Sequence, residues 1–269
     1  MKFLEQLGTK LLLTDGDTRG MLVSAGFEAD RVEAACLENP ELLGAIHLQF
    51  AEAGVDIVRT NTAGANAAHL GKHGLGGHIN EINWKSAQIA RQAVKGYSAY
   101  VAGVVGPIAR PHEGLHGVGD LFREQIGALL DGGAQLISLE RFERLDELLV
   151  ALEVKYSLHH CPAICSLLFD DTGRLADGTP IETASRILAT NDAEVIGIDS
   201  EGDPTPLVSR ARLSLHVAVG VNAIRPADAL AGLCDELRRR GAAILIFGEG
   251  ILPAHLVRIT RGLKNPGED

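Results

Sequence analysis

Eight short, nearly continuous apolar runs recur along the chain: Leu11 to Thr14, Asp56 to Asn61, Tyr100 to Gly106, Leu136 to Glu140, Ala163 to Phe169, Val195 to Ser200, Val217 to Ala223 and Ile244 to Glu249. They do not alternate with polar residues, which is the pattern of strands buried on both faces of a parallel sheet. The segments between them carry apolar residues at helical spacing, as in PELLGAIHLQFAEAG from Pro40 to Gly54 and in the stretch Ile79 to Val94. Strand and helix alternating eight times predict an α/β fold of the (β/α)8 TIM-barrel class. The 269 residues suit one such barrel and no Pro/Ser-rich linker divides them, so residues 1–269 are expected to form a single domain.

Polar chemistry collects where the runs end. TDGD follows the first, TNTAGAN the second, LERFE the fourth, DSEGDP the sixth, VNA the seventh and GEG the eighth. In a TIM barrel the loops after the strands form the active-site face, so these segments are expected to share one mouth. Asp15, Asp17, Glu140, Asp199 and Glu249 would bring carboxylates there. For each, capping a helix or pairing with an arginine competes with a role in chemistry. His112 and His116 lie four apart in the loop after the third run, but Gly and Pro around them exclude helical metal-ligand spacing and leave a solvated loop. His255 is expected to serve the start of the last helix, near Pro253.

Charge and cysteine usage narrow the partners. Twenty-five basic against 35 acidic residues give a formal charge of −10, and no basic run exceeds Arg238-Arg239-Arg240, which excludes nucleic acid and anionic membranes as natural partners. Cys36, Cys161, Cys165 and Cys234 are scattered, with no C-x-x-C pair or zinc spacing, the usage of a reducing compartment. No apolar run approaches the span of a membrane helix and the N-terminus does not read as a secretory signal, so a cytoplasmic protein is expected.

Several segments carry a resemblance: NPELLGAIHLQFAEAGVDIVRTNTAGAN at residues 39 to 66, together with LLLTDGDTRGML, INEINWKSAQIAR, VAGVVGP, FREQIGALLDGGAQLISLERF and FDDTGRLADGT in order. They resemble the homocysteine S-methyltransferase family, zinc-dependent barrels that move a methyl group onto a thiolate. The resemblance implies that Asp15 and Glu140 hold the amino end of an amino-acid thiol, and that Asn61, Thr62 and Asn222 belong to the same substrate site.

The resemblance also implies three zinc thiolates, one after the sixth strand and a Cys-Cys pair after the eighth. Here those positions read Ser200, Gly248 and Glu249. Serine is a weak zinc ligand and glycine none, so no zinc is expected at the family position. Glu249, with Asp199 as a second carboxylate, becomes the candidate for base chemistry or hard-cation binding, against the plainer reading of an ion pair with Arg19.

Three functions remain open on the sequence. The first is methyl or one-carbon transfer to a small amino-acid thiol or related acceptor without the three-cysteine zinc site, from a donor the sequence does not name. The second is a different carboxylate- or divalent-metal-based enzyme on the same barrel; the third is a non-catalytic amino-acid-binding protein. A homo-oligomer or a partner protein carrying the methyl donor is compatible with each.

Overall fold

The computed structural model describes residues 3–108, 114–200, 202–211, 216–221 and 227–264. Eight parallel strands form the barrel: β1 (Leu12–Leu13), β2 (Ile57–Arg59), β3 (Tyr100–Val105), β4 (Leu136–Phe142), β5 (Ala163–Phe169), β6 (Val195–Ser200), β7 (His216–Val221) and β8 (Ala242–Phe247). Each pairs with its sequence neighbour, and β1 pairs with β8 through Leu12↔Ile244 and Leu13↔Leu245. The ring closes at its weakest seam, between the two shortest strands. A single parallel bridge joins Thr14 to Ile57 there, with Asp15 N donating to Ile57 O and Asp56 N to Leu13 O, both at 2.8 Å.

Side chains two apart along a strand share a face, and inside the barrel this alternation runs from apolar to polar. Leu12, Ile57, Leu136, Ile164, Val195 and Ile244 pack with Phe3 and Leu7 of the N-terminal segment into an interior cluster. Phe3 meets Tyr100 edge-on at 5.4 Å between ring centroids and plugs this end. One step further toward the strands' C-terminal ends stand Ser138 and Ser166, and one step beyond those Glu140 and Asp199. Gly197 keeps this layer open, since a Cβ there would fall 2.5 Å from that of Ser166. A larger apolar core lies outside, where strand residues such as Val58, Val101 and Cys165 meet helical residues such as Phe50, Phe122 and Leu148. Asn39 starts the helix Pro40–Glu52 by accepting from Leu42 N, with Pro40 in the first turn as its fixed φ favours.

Some expected boundaries shift. β2 ends at Arg59 instead of Asn61, and β8 at Phe247 instead of Glu249, because Gly248 to Gly250 turn away from the sheet. β4 continues to Phe142 instead of stopping at Glu140, through a register shift between Leu139 and Phe142. Among the described residues no helix is long and apolar enough to cross a membrane.

Candidate active site

One cavity of about 690 Å³ opens at the C-terminal ends of the strands. It gathers Asp15, Asp17, Asn61, Thr62, Glu140, Gly248 and Glu249 from the sequence-expected set, with Arg19, Glu33, Arg59 and Arg141 beside them. Asp199 and Ser200 are not among its lining residues. Asn222 and His112 lie outside the described residues.

Arg59 organises the mouth. At the end of β2 its inward-facing guanidinium donates from Nε to Asp15 Oδ1 at 2.8 Å and from Nη1 to Glu140 Oε2 at 3.2 Å. Its Nη2 reaches the carbonyls of Asp15, Gly16 and Phe247. One side chain therefore ties together the ends of β1, β2, β4 and β8. Asp15 is consumed by this arrangement: its second oxygen accepts from Arg59 N at 3.0 Å and the residue is 1% exposed. Burial pushes its carboxyl up to about 6, opposed by Arg59 and assisted by Glu140. Glu140 is looser. Ser138 Oγ donates to its Oε1 at 2.8 Å, and its side chain keeps 13% exposure toward the cavity.

The other carboxylates differ in their ties. Asp17 caps the helix Thr18–Ser24 by accepting from Gly20 N at 2.7 Å, and its other oxygen accepts from Gly250 N at 2.9 Å, so it fastens the turn after β8 to the start of that helix. Asp199 accepts a hydrogen bond from Ser166 Oγ beneath the mouth, and burial pushes its carboxyl above the usual range. Glu33 Oε1 accepts from Gly64 N at 3.2 Å and holds the loop after β2. Glu249 is exposed on the cavity wall and, among the described residues, makes no ion pair with Arg19. Asn61 gives its amide N–H to Val32 O at 2.7 Å, and Thr62 Oγ1 donates to Val104 O at 2.7 Å. His255 takes the expected structural place, with Nδ1 accepting from Leu252 N just before the last helix.

The donor set does not fit a thiolate-held zinc. Ser200 Oγ accepts from Gly202 N at 3.2 Å, Gly248 has no side chain and Glu249 is a lone carboxylate. All four thiols are buried, and burial pushes Cys165 and Cys234 up to about 12 and Cys36 to about 11, the reverse of a metal-ready thiolate. Among the described residues no group of three or more His, Cys, Asp or Glu side chains is arranged to hold a metal ion.

Sequence reading missed Arg59 and His47. Arg59 interrupts an otherwise apolar run, DIVRT, and a charge in a doubly buried strand needs a partner. His47 occupies the apolar face of the helix Pro40–Glu52 and is fully buried.

A closed parallel barrel with its polar groups at the C-terminal mouth defines an enzyme-type scaffold, and comparison with known proteins narrows it. The homocysteine S-methyltransferase family model matches residues 12–255, and the chain belongs to that family. It is 26% identical to methionine synthase of Mycobacterium tuberculosis, over 97% of this chain and 25% of that protein. It is 30% identical to homocysteine S-methyltransferase of Escherichia coli, over 66% of this chain and 65% of that protein. The chain thus spans only about a quarter of the length of the methionine synthases it matches. Among solved structures it superimposes on the oxidized form of the homocysteine methyltransferase MmuM from Escherichia coli with a TM-score of 0.87 and 25% identity, covering 96% of this chain and 98% of that one.

Proposed function

We propose that this barrel transfers a methyl or other one-carbon group to a small amino-acid thiol or related acceptor bound at its C-terminal mouth, without a thiolate-held zinc. The family match supports the reaction class. The observation that carries the site is the single cavity lined by Asp15, Glu140 and Glu249 together. Glu140 takes the acceptor's ammonium on the lone pairs that Ser138 and Arg59 leave free, while Asp15 works at one remove by fixing Arg59. Asn61 keeps its amide oxygen for the ligand and Thr62 shapes the wall.

Activation of the thiol falls to Glu249, the carboxylate where the family resemblance places a thiolate. A free thiol is only a few per cent ionised at neutral pH and needs a base beside it. Glu249 therefore accepts the thiol proton as the sulfur–carbon bond forms and the methyl's bond to the donor's sulfonium or ammonium centre breaks, releasing a neutral sulfide or amine. Asp199, held by Ser166 beneath the mouth, does not line the cavity and takes no direct part in this step.

A second reading, an amino-acid-binding protein without chemistry, is favoured by the saturation of Asp15 and the loss of every thiolate position. Calorimetry with homocysteine, followed by mass spectrometry of mixtures with sulfonium or quaternary-ammonium methyl donors, separates the two. The proposal expects binding that Glu140→Gln weakens roughly ten- to a hundredfold, and a methylated product that Glu249→Gln abolishes. Binding with no product under any donor establishes the second reading. No binding at millimolar homocysteine overturns both.

A further inference from the structure

We infer that Arg141 is the carboxylate-recognising residue of the mouth and makes the site selective for amino acids over simple amines. The inference rests on the amino-acid reading above and adds a residue that neither the sequence nor the family resemblance singled out.

Arg141 sits in a backbone conformation that its side chain does not favour. Its φ is +59°, and Asp192 is the other non-glycine residue with positive φ among the described residues. Asp192 lies in a turn, where a short polar side chain tolerates the left-handed region. Arg141 has no such local compensation, and strain of this kind persists where the surroundings impose it, often at functional sites.

The cause is the register shift in β4 between Leu139 and Phe142. In a regular strand Glu140 and Arg141 would point to opposite faces. The irregularity re-aims one of them, as bulges do, and both line the same cavity. The two guanidiniums at this wall then differ sharply. Arg59 spends its donors on Asp15, Glu140 and three carbonyls. Arg141 is exposed to the cavity and makes no hydrogen bond or ion pair among the described residues.

Consecutive opposite charges on one wall match a ligand with consecutive opposite charges. An α-amino acid presents its ammonium and carboxylate on one carbon, so with the ammonium at Glu140 the carboxylate falls beside Arg141. The planar guanidinium fork suits a carboxylate bidentately. Asp17 and Glu249 line the same cavity and disfavour an anion near the β1 and β8 ends, leaving the β4 side for the carboxylate.

The test compares L-homocysteine with 3-aminopropane-1-thiol, the same aminothiol without the carboxylate, by calorimetry on wild type, Arg141→Gly and Arg141→Lys. Glycine accepts positive φ, so Arg141→Gly is expected to melt no lower than wild type and any loss of binding is not a folding defect. Wild type should prefer homocysteine by roughly ten- to a hundredfold, the value of one charge-assisted pair. Arg141→Gly should erase that preference while leaving the aminothiol's affinity unchanged, and Arg141→Lys should restore part of it. A preference that survives Arg141→Gly, no preference in wild type, or equal loss for both ligands overturns the inference. If wild type takes neither aminothiol, the proposed function fails separately, and titration with glutarate and inorganic phosphate decides Arg141. Anion binding that disappears in Arg141→Gly sustains the role, whereas absent or unaltered anion binding ends it.

Discussion

His47 Nδ1 stands 4.0 Å from Asp15 Oδ2, with both side chains cut off from solvent and neither imidazole nitrogen hydrogen-bonded. Burial acts on the two groups in opposite senses. It pushes the Asp15 carboxyl up to about 6, against the pull of Arg59 and with the push of Glu140, and drives the His47 imidazole down to about 4.

Between pH 4 and 6 the folded chain thus carries a proton on Asp15 that the unfolded chain has released, and lacks one on His47 that the unfolded chain has bound. The Asp15 contribution makes stability fall as pH rises through this window; the His47 contribution makes it rise, up to about pH 6.5. Each is on the order of 3 kcal/mol at about 1.4 kcal/mol per pK unit, and in wild type the two oppose each other. Removing either exposes the other. Relative to wild type, Asp15→Asn should gain stability with rising pH from about 4 to 6, and His47→Leu should lose it from about 4 to 6.5. Urea titrations across the window give the slopes, and parallel curves for all three proteins would refute the pairing.

Arg59→Met should be the most destabilising single change at the mouth. It leaves the buried Asp15 carboxylate and three carbonyls without their donor, and truncating one partner of a buried charge pair costs about 3–5 kcal/mol. Adding Asp15→Asn should recover part of the loss, because the stranded charge goes with it. Denaturant unfolding of the single and double variants gives both numbers. A loss below about 1 kcal/mol for Arg59→Met, the range of ordinary surface changes, would mean that the guanidinium is not the brace described.

Arg59 also shows where sequence reading stops. The barrel was legible because eight apolar runs and their helical spacers repeat a period that depends only on local side-chain order, and the β1 to β8 neighbourhood follows once the ring closes. The polar ends predicted the mouth for Asp15, Glu140 and Glu249. The partner of each carboxylate was not legible, since Arg59 stands 44 residues from Asp15 and 81 from Glu140, and only closure brings them within hydrogen-bond reach. The β4 irregularity was hidden for a different reason. A register shift inserts no characteristic residue, so LERFE reads as a strand end when the strand runs on to Phe142.

Gly16 fixes the approach of the first loop to the last. A Cβ at this position would lie 2.0 Å from the carbonyl oxygen of Ile251. That contact is to backbone, so the turn after β8 must move, carrying Glu249 and the Asp17 contact to Gly250 with it. Gly16→Ala should cost about 1–3 kcal/mol, as overpacking does, and should weaken ligand binding beyond what the stability change explains. A crystal structure of the variant with the loop unmoved, or a melting temperature equal to wild type, would contradict this.

Restoring the thiolates tests whether the mouth has lost only ligands or also the shape that held a metal. Ser200 ends β6 and Gly248 follows β8, with β7 between them. Strands two apart are separated by about 10 Å, a gap that two cysteine side chains and two zinc–sulfur bonds of about 2.3 Å bridge. Wild type purified without chelator should carry well under one zinc per chain, because a hydroxyl, a hydrogen and a carboxylate replace the soft donors. The triple variant Ser200→Cys, Gly248→Cys, Glu249→Cys should take up one zinc per chain, with sulfur neighbours visible by X-ray absorption, while Glu249→Cys alone should not. One equivalent of zinc on the wild-type Ser200 and Glu249 would overturn the reading of the donor set. A triple variant that stays metal-free would show that the wall itself has diverged, and that Arg59 and its partners now set the shape of the mouth.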